Sequence, residues 1–68
     1  SFVVYPNPAI NQVSVNSKNI QIYDVLGAKI FDNSNILDGL IDVSTFEKGI
    51  YFVKSKDYPT GTIRLIVQ

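Results

Sequence analysis

Turn chemistry interrupts this chain about every eight to twelve residues, and the intervals between are short runs of β-branched and aromatic residues. Such spacing leaves no room for a helix of several turns. It sets up strands joined by tight connections, the pattern of a sandwich or small barrel. Phe2 to Tyr5 opens the series, and Pro6-Asn7-Pro8 closes that first run. Two prolines fix φ and supply no ladder N–H, so a rigid extended corner is expected there. Between Asn11 and Asn16 the alternation is clean, with Val13 and Val15 on one face and Gln12, Ser14 and Asn16 on the other. After an Asn16-Ser17-Lys18-Asn19 turn, Ile20 and Ile22 continue the inward face, opposite Gln21 and Tyr23. Leu26-Gly27 reads as a tight hairpin with Gly27 at positive φ.

Ala28 to Phe31 then runs back with Ile30 inward, and Asp32-Asn33-Ser34-Asn35 makes the next turn. Ile36 to Val43 is broken by Asp38-Gly39, which predicts two short strands around a bend, with Ile41 and Val43 sharing a face. Ser44-Thr45-Phe46-Glu47 has the spacing of a capping box, so one helical turn is expected to tuck Phe46 under the sandwich. Gly49 to Ser55 is the strongest strand. Asp57-Tyr58-Pro59-Thr60-Gly61 reads as a long hairpin tip, and Thr62 to Gln68 as a last strand with Ile63, Leu65 and Val67 on one face. The sum is an all-β, immunoglobulin-like β-sandwich of about seven short antiparallel strands in two sheets, with residues 1–68 as a single domain. In that frame Gly49-Ile50-Tyr51-Phe52-Val53 resembles a tyrosine corner. Tyr51 and Val53 then point inward and the Tyr51 hydroxyl bonds back to the preceding loop. Gly49 relaxes the corner, and Ile50 and Phe52 face outward or toward a neighbour.

Composition limits what such a fold can do. With 68 residues and no cysteine, the domain must be held by packing alone, and 46% hydrophobic residues supply the material. Six basic and six acidic residues are spread along the chain, so no basic patch supports nucleic-acid binding. No apolar run approaches the roughly 20 residues of a membrane span, so direct membrane insertion is not expected. Histidine is absent along with cysteine, which removes the commonest general base, the thiol nucleophile and most zinc ligands. The serines have no base to activate them. Asp32-Asn33-Ser34-Asn35 with Asp38 is the one metal-like string, but Ile36 and Leu37 stand where a calcium loop needs a ligand and a glycine. Asp24 and Asp42 read as ordinary solvated carboxylates at strand ends. Neither an enzyme nor a cofactor is expected.

Four segments carry a resemblance. They are Val4-Tyr5-Pro6-Asn7-Pro8; Ile20-Gln21-Ile22-Tyr23-Asp24 with Gly27; Ile41 to Val53, which contains Gly49 and Tyr51; and Arg64-Leu65-Ile66-Val67-Gln68. In this order and spacing they resemble the type A C-terminal sorting domain of the type IX secretion system of Bacteroidetes, over essentially the whole chain. The resemblance implies a signal that directs a cargo protein across the outer membrane. It implies transit through the periplasm, with the cargo then secreted or held at the cell surface. It also implies as partners an outer-membrane β-barrel shuttle and translocon, a surface sortase-like peptidase that removes the signal, and a covalently linked N-terminal cargo. Arg64 stands where the family usually has Lys, which keeps the charge and changes the donor geometry.

Tyr5, Pro6, Asn7, Pro8, Gly27, Gly49 and Tyr51 are expected to be mainly structural, with Tyr5-Pro6-Asn7-Pro8 a stiff lead-in to the domain. Recognition is expected at Arg64, Leu65, Ile66, Val67 and Gln68, because a terminal strand can leave its sheet and add to a partner's edge. The same mobility allows a weak or strand-swapped homodimer. The chain opens directly on a strand-like run without an initiator Met, as a fragment of a larger secreted precursor would. The alternative is an accessory module of a surface enzyme, a spacer or a carbohydrate binder. A binder would need a row of exposed aromatics drawn from Tyr5, Tyr23, Phe31, Phe52 and Tyr58.

Overall fold

The computed structural model describes residues 1–68 and contains seven strands and no helix. They are β1 (Val4–Tyr5), β2 (Gln12–Val15), β3 (Ile20–Tyr23), β4 (Lys29–Asn33), β5 (Leu40–Asp42), β6 (Gly49–Ser55) and β7 (Tyr58–Val67). All strand pairs are antiparallel, in a three-stranded sheet ordered β1-β2-β5 and a four-stranded sheet ordered β4-β3-β6-β7. The chain crosses between sheets after β2, β4 and β5, giving an immunoglobulin-like sandwich.

The period-two alternation decides which side chains fill the space between the sheets. Val13, Val15 and Ile41 from one sheet meet Ile20, Ile22, Tyr51, Val53, Leu65 and Val67 from the other, all buried. Phe2, Ala9, Ile36 and Val43 close the ends of this layer from the connections. Gly27 sits at φ 86° in the β3–β4 turn, where a Cβ would be strained. Asp24 organises that turn by accepting the Leu26 and Ala28 N–H groups, each at 2.9 Å.

Several local expectations are corrected. Ser44 to Glu47 forms no helical turn. Asp42 Oδ1 takes the Ser44 N–H at 2.8 Å, and the Phe46 N–H returns to the Val43 carbonyl at 3.0 Å, so the segment closes as a turn. Phe46 is still half-buried and packs against Tyr51, with ring centroids 5.2 Å apart. Ile30 is 42% exposed rather than inward. A register shift sets Lys29 opposite Tyr23 and Phe31 opposite Ile22, so Phe31 packs on the core instead. Ile36 is buried but lies outside any strand, tied to the Lys18 carbonyl at 2.9 Å, so only Leu40–Asp42 pairs in that region. The last hairpin turns at Lys56-Asp57, and β7 begins at Tyr58. Ser55 pairs with Tyr58 and Lys54 with Thr62, which leaves Pro59-Thr60-Gly61 as a bulge where proline's missing N–H costs no ladder bond. The Pro6-Asn7-Pro8 segment is a bend rather than an extended corner, with both X–Pro bonds cis.

One buried polar cluster was not anticipated. Ser17 Oγ donates to Asp57 Oδ2 at 2.6 Å, and the Ser55 hydroxyl lies 2.6 Å from Ser17 Oγ. Ser55 Oγ also accepts the Asp57 N–H at 3.0 Å, and Ser17 Oγ the Asn19 N–H at 3.1 Å. The β2–β3 crossover is thereby pinned to the β6–β7 hairpin, and both buried serines are satisfied.

Candidate functional site

The five terminal residues named as the recognition segment lie in and just after β7. There they pair with β6 in the register Val67 with Gly49, Ile66 with Ile50, Leu65 with Tyr51 and Arg64 with Phe52. Alternation splits them. Leu65 and Val67 are buried in the sandwich, so a partner of the folded domain cannot touch them. Arg64 and Gln68 are exposed, and Ile66 is half-buried on the outer face. Arg64 forms no ion pair; the one salt bridge of the chain joins Lys29 and Asp32 at 3.1 Å on the exposed surface. Ile50, across from Ile66, is 41% exposed and also lines an open hollow of about 560 Å³ beside the start of β6. Val25, Leu26, Ile30, Phe46 and Tyr51 line the rest of its apolar wall. The outer face of β7 therefore runs on into an apolar recess.

The structure brings the two ends of the proposed motif set together. Asn7 Nδ2 donates to the Arg64 carbonyl at 2.7 Å, and Asn7 Oδ1 accepts the Ile66 N–H at 3.0 Å. Ala9 continues the contact as a parallel bridge to Val67. Its N–H donates to the Ile66 carbonyl and its carbonyl accepts the Gln68 N–H, both at 2.8 Å. Tyr5-Pro6-Asn7-Pro8 is thus more than a lead-in, since Asn7 closes the outer edge of the terminal strand. The strand expected to leave its sheet for a partner's edge is bonded on this side as well as to β6. Within the motif Tyr5, Pro6 and Pro8 stay exposed. The hint was present in the sequence as a side-chain amide held between two prolines, but nothing local says which strand it meets.

Gly49 and Tyr51 sit opposite Val67 and Leu65, while Gly27 lies in a turn at the other side of the sheet. Gly49 has φ 153°, a conformation that residues with a Cβ rarely adopt. The tyrosine corner is present, with the Tyr51 hydroxyl donating to the Glu47 carbonyl. Burial pushes the Tyr51 phenol above its ordinary value, and the charges of Glu47 and Asp24 add to that. Unfolded Tyr51 ionises at about pH 10, so its contribution to stability is whole below that pH and is lost as pH climbs through the higher folded value. Glu47 is exposed, so its carbonyl can turn to water when the hydroxyl is removed. Tyr51→Phe is therefore expected to cost only about 1 kcal/mol at neutral pH. It should also flatten the loss of stability above about pH 10. Urea midpoints measured from pH 7 to 11.5 check both statements, and a variant with the wild-type midpoint and the wild-type alkaline slope would remove this account of Tyr51.

The remaining polar residues have local work. Asp32 accepts from Gln21 Nε2 at 3.0 Å and from Lys29, and these two neighbours hold its carboxyl below the usual range. Asn33 and Asp38 each accept a backbone N–H two residues on. Asp24 and Asp42 serve turns of different sheets. No three His, Cys, Asp or Glu side chains are grouped to hold a metal ion. The exposed aromatic row required of a carbohydrate-binding module does not form. Phe31 packs on the core and Tyr58 stacks on Phe2 with centroids 5.5 Å apart. Tyr5 lies on the other sheet, so only Tyr23 and Phe52 remain as neighbours.

These features define a small all-β sandwich of seven antiparallel strands in two sheets. A family model described as the secretion system C-terminal sorting domain matches residues 3–68. The chain belongs to that family, whose members are not catalytic, and it is a C-terminal sorting signal for type IX secretion, the system of Bacteroidetes. It interacts with that system, and export to the cell surface or the medium is its consequence. No curated protein matches the chain.

Proposed function

We propose that the secretion machinery reads the outward face of β7, namely Arg64, Ile66 and Gln68, on a sandwich that stays folded. Leu65 and Val67 serve the same recognition from inside, by anchoring the strand to the core. The observation that carries this reading is the exposed, unpaired Arg64 guanidinium beside Ile66, on a strand whose backbone is bonded along both edges. A charge with no internal partner, next to an apolar surface that continues into a recess, suits a partner offering a carboxylate and an apolar contact. Residues 1–68 act as one label on a cargo joined at their N-terminal side. The label crosses the periplasm with its cargo, meets an outer-membrane β-barrel shuttle and translocon, and is cut from the cargo by a sortase-like peptidase at the surface.

Fusing residues 1–68 to an inert periplasmic reporter, in strains with and without the type IX translocon, tests the proposal. Export is expected only with the translocon. The double variant Arg64→Glu with Ile66→Thr alters the outer face and leaves the core untouched. It is expected to keep the fold and lose about tenfold or more in export, the consequence of losing about 1.4 kcal/mol or more of partner affinity. Wild-type export of the folded double variant would count against this face.

A further inference from the structure

A strand at the edge of a sheet ordinarily shows one row of unpaired N–H and C=O groups. From the Arg64 carbonyl to the Gln68 N–H, residues 7–9 fill that row. Asn7 contributes its side chain where a neighbouring strand would contribute backbone. One planar amide donates to the Arg64 carbonyl at 2.7 Å and accepts the Ile66 N–H at 3.0 Å. Ala9 repeats the donor and acceptor pair one step further along, at 2.8 Å each, to Ile66 and Gln68. Only Asn and Gln carry a donor and an acceptor on one such neutral group. Asn7 itself is exposed and belongs to no part of the core, so its bonds act on the strand and not on the packing.

We infer that Asn7 is a positioning residue of the sorting signal. It fixes the Arg64–Ile66 backbone, so that the two outward side chains leave the sheet in one register before any partner arrives. A strand bonded on its inner edge alone frays at its end, and a partner binding it must then supply the ordering entropy. The clamp removes that cost from recognition. It also denies the edge to a passing strand, which protects the domain from edge pairing with another copy. The inference rests on the reading that the machinery recognises the outer face of β7, and it adds the residue that holds that face in place.

Amide hydrogen exchange on the ¹⁵N-labelled chain, with export of the reporter fusion, tests this. In Asn7→Ala the Ile66 and Gln68 amides are expected to exchange about tenfold faster or more, while β3 amides stay within about twofold of wild type. Export should fall at least about threefold in the same variant. Asn7→Asp keeps an oxygen for the Ile66 N–H but turns a second acceptor toward the Arg64 carbonyl. Relative to the intrinsic exchange rate at each pH, its Ile66 amide should therefore be poorly protected at pH 7 and regain protection below about pH 4, where the protonated carboxyl can donate. Unchanged Ile66 exchange in Asn7→Ala overturns the clamp. Equal loss of protection in β3 reduces Asn7 to a general stability residue and also overturns it. If the Arg64→Glu, Ile66→Thr variant is defective while Asn7→Ala exports normally, the positioning role alone fails. If that face variant exports normally, the reading of the face fails and the inference goes with it.

Discussion

Deleting residues 64–68 is expected to unfold the domain as well as to silence it. The deletion removes Leu65 and Val67 from the core, each contributing about 2 kcal/mol or more through burial. It also removes four paired positions with β6 and the four bonds from Asn7 and Ala9. A domain of this length has only about 3 to 10 kcal/mol of stability in total. The truncated chain should lose its dispersed amide spectrum and its cooperative urea transition, and a reporter carrying it should stay inside the cell. Export failure after truncation therefore reports folding and recognition together, and the outer-face variants are needed to separate them. A truncated chain that melts at the wild-type urea midpoint would contradict the packing described for β7.

Ile22→Ala should be nearly as damaging from inside the sandwich. Ile22 is fully buried on β3, a strand paired on one side with β4 and on the other with β6. With its backbone held along both edges, β3 cannot move inward to fill the space left by the lost atoms. The cost then falls in the upper half of the range of about 2 to 5 kcal/mol for such truncations. Set against about 3 to 10 kcal/mol, that removes from about a third to the whole of the domain's stability. Leu26→Ala is the matched control, because Leu26 is 91% exposed in the β3–β4 turn, and it should change stability by less than about 0.5 kcal/mol. Urea unfolding of the pair measures the difference. A shift below about 1 kcal/mol for Ile22→Ala would show that the core relaxes far more than its close packing allows.

Much of the fold was legible in the sequence because strands carry their burial pattern in steps of two. Val13 and Val15, Ile20 and Ile22, Tyr51 and Val53, and Ile63, Leu65 and Val67 all face the core as the alternation requires. The Gly27 turn and the tyrosine corner followed from residue types with narrow conformational or bonding roles. The failures share a different cause. Ile30 was placed inward by counting from Ala28, and a one-residue bulge turned it out. The capping-box spacing at Ser44 was real, but Asp42 captured the Ser44 N–H first, and the chain closed as a turn. Ser17 reads in the sequence only as part of a turn, and its hydroxyl is buried against Ser55 and Asp57.

Residue order alone determined that this chain is all-β, which side chains face inward on the strands without a bulge, that it lacks the histidine and cysteine of common active sites, and which secretion family it resembles. It did so because alternation and turn preference act between residues a few positions apart. Only the tertiary structure decided that Asn7 grips Arg64 across 57 positions, and that Ser17 meets Asp57 across 40. Those contacts depend on which strands become neighbours and in what register. That is settled by how two sheets pack around one core, and no local pattern records it.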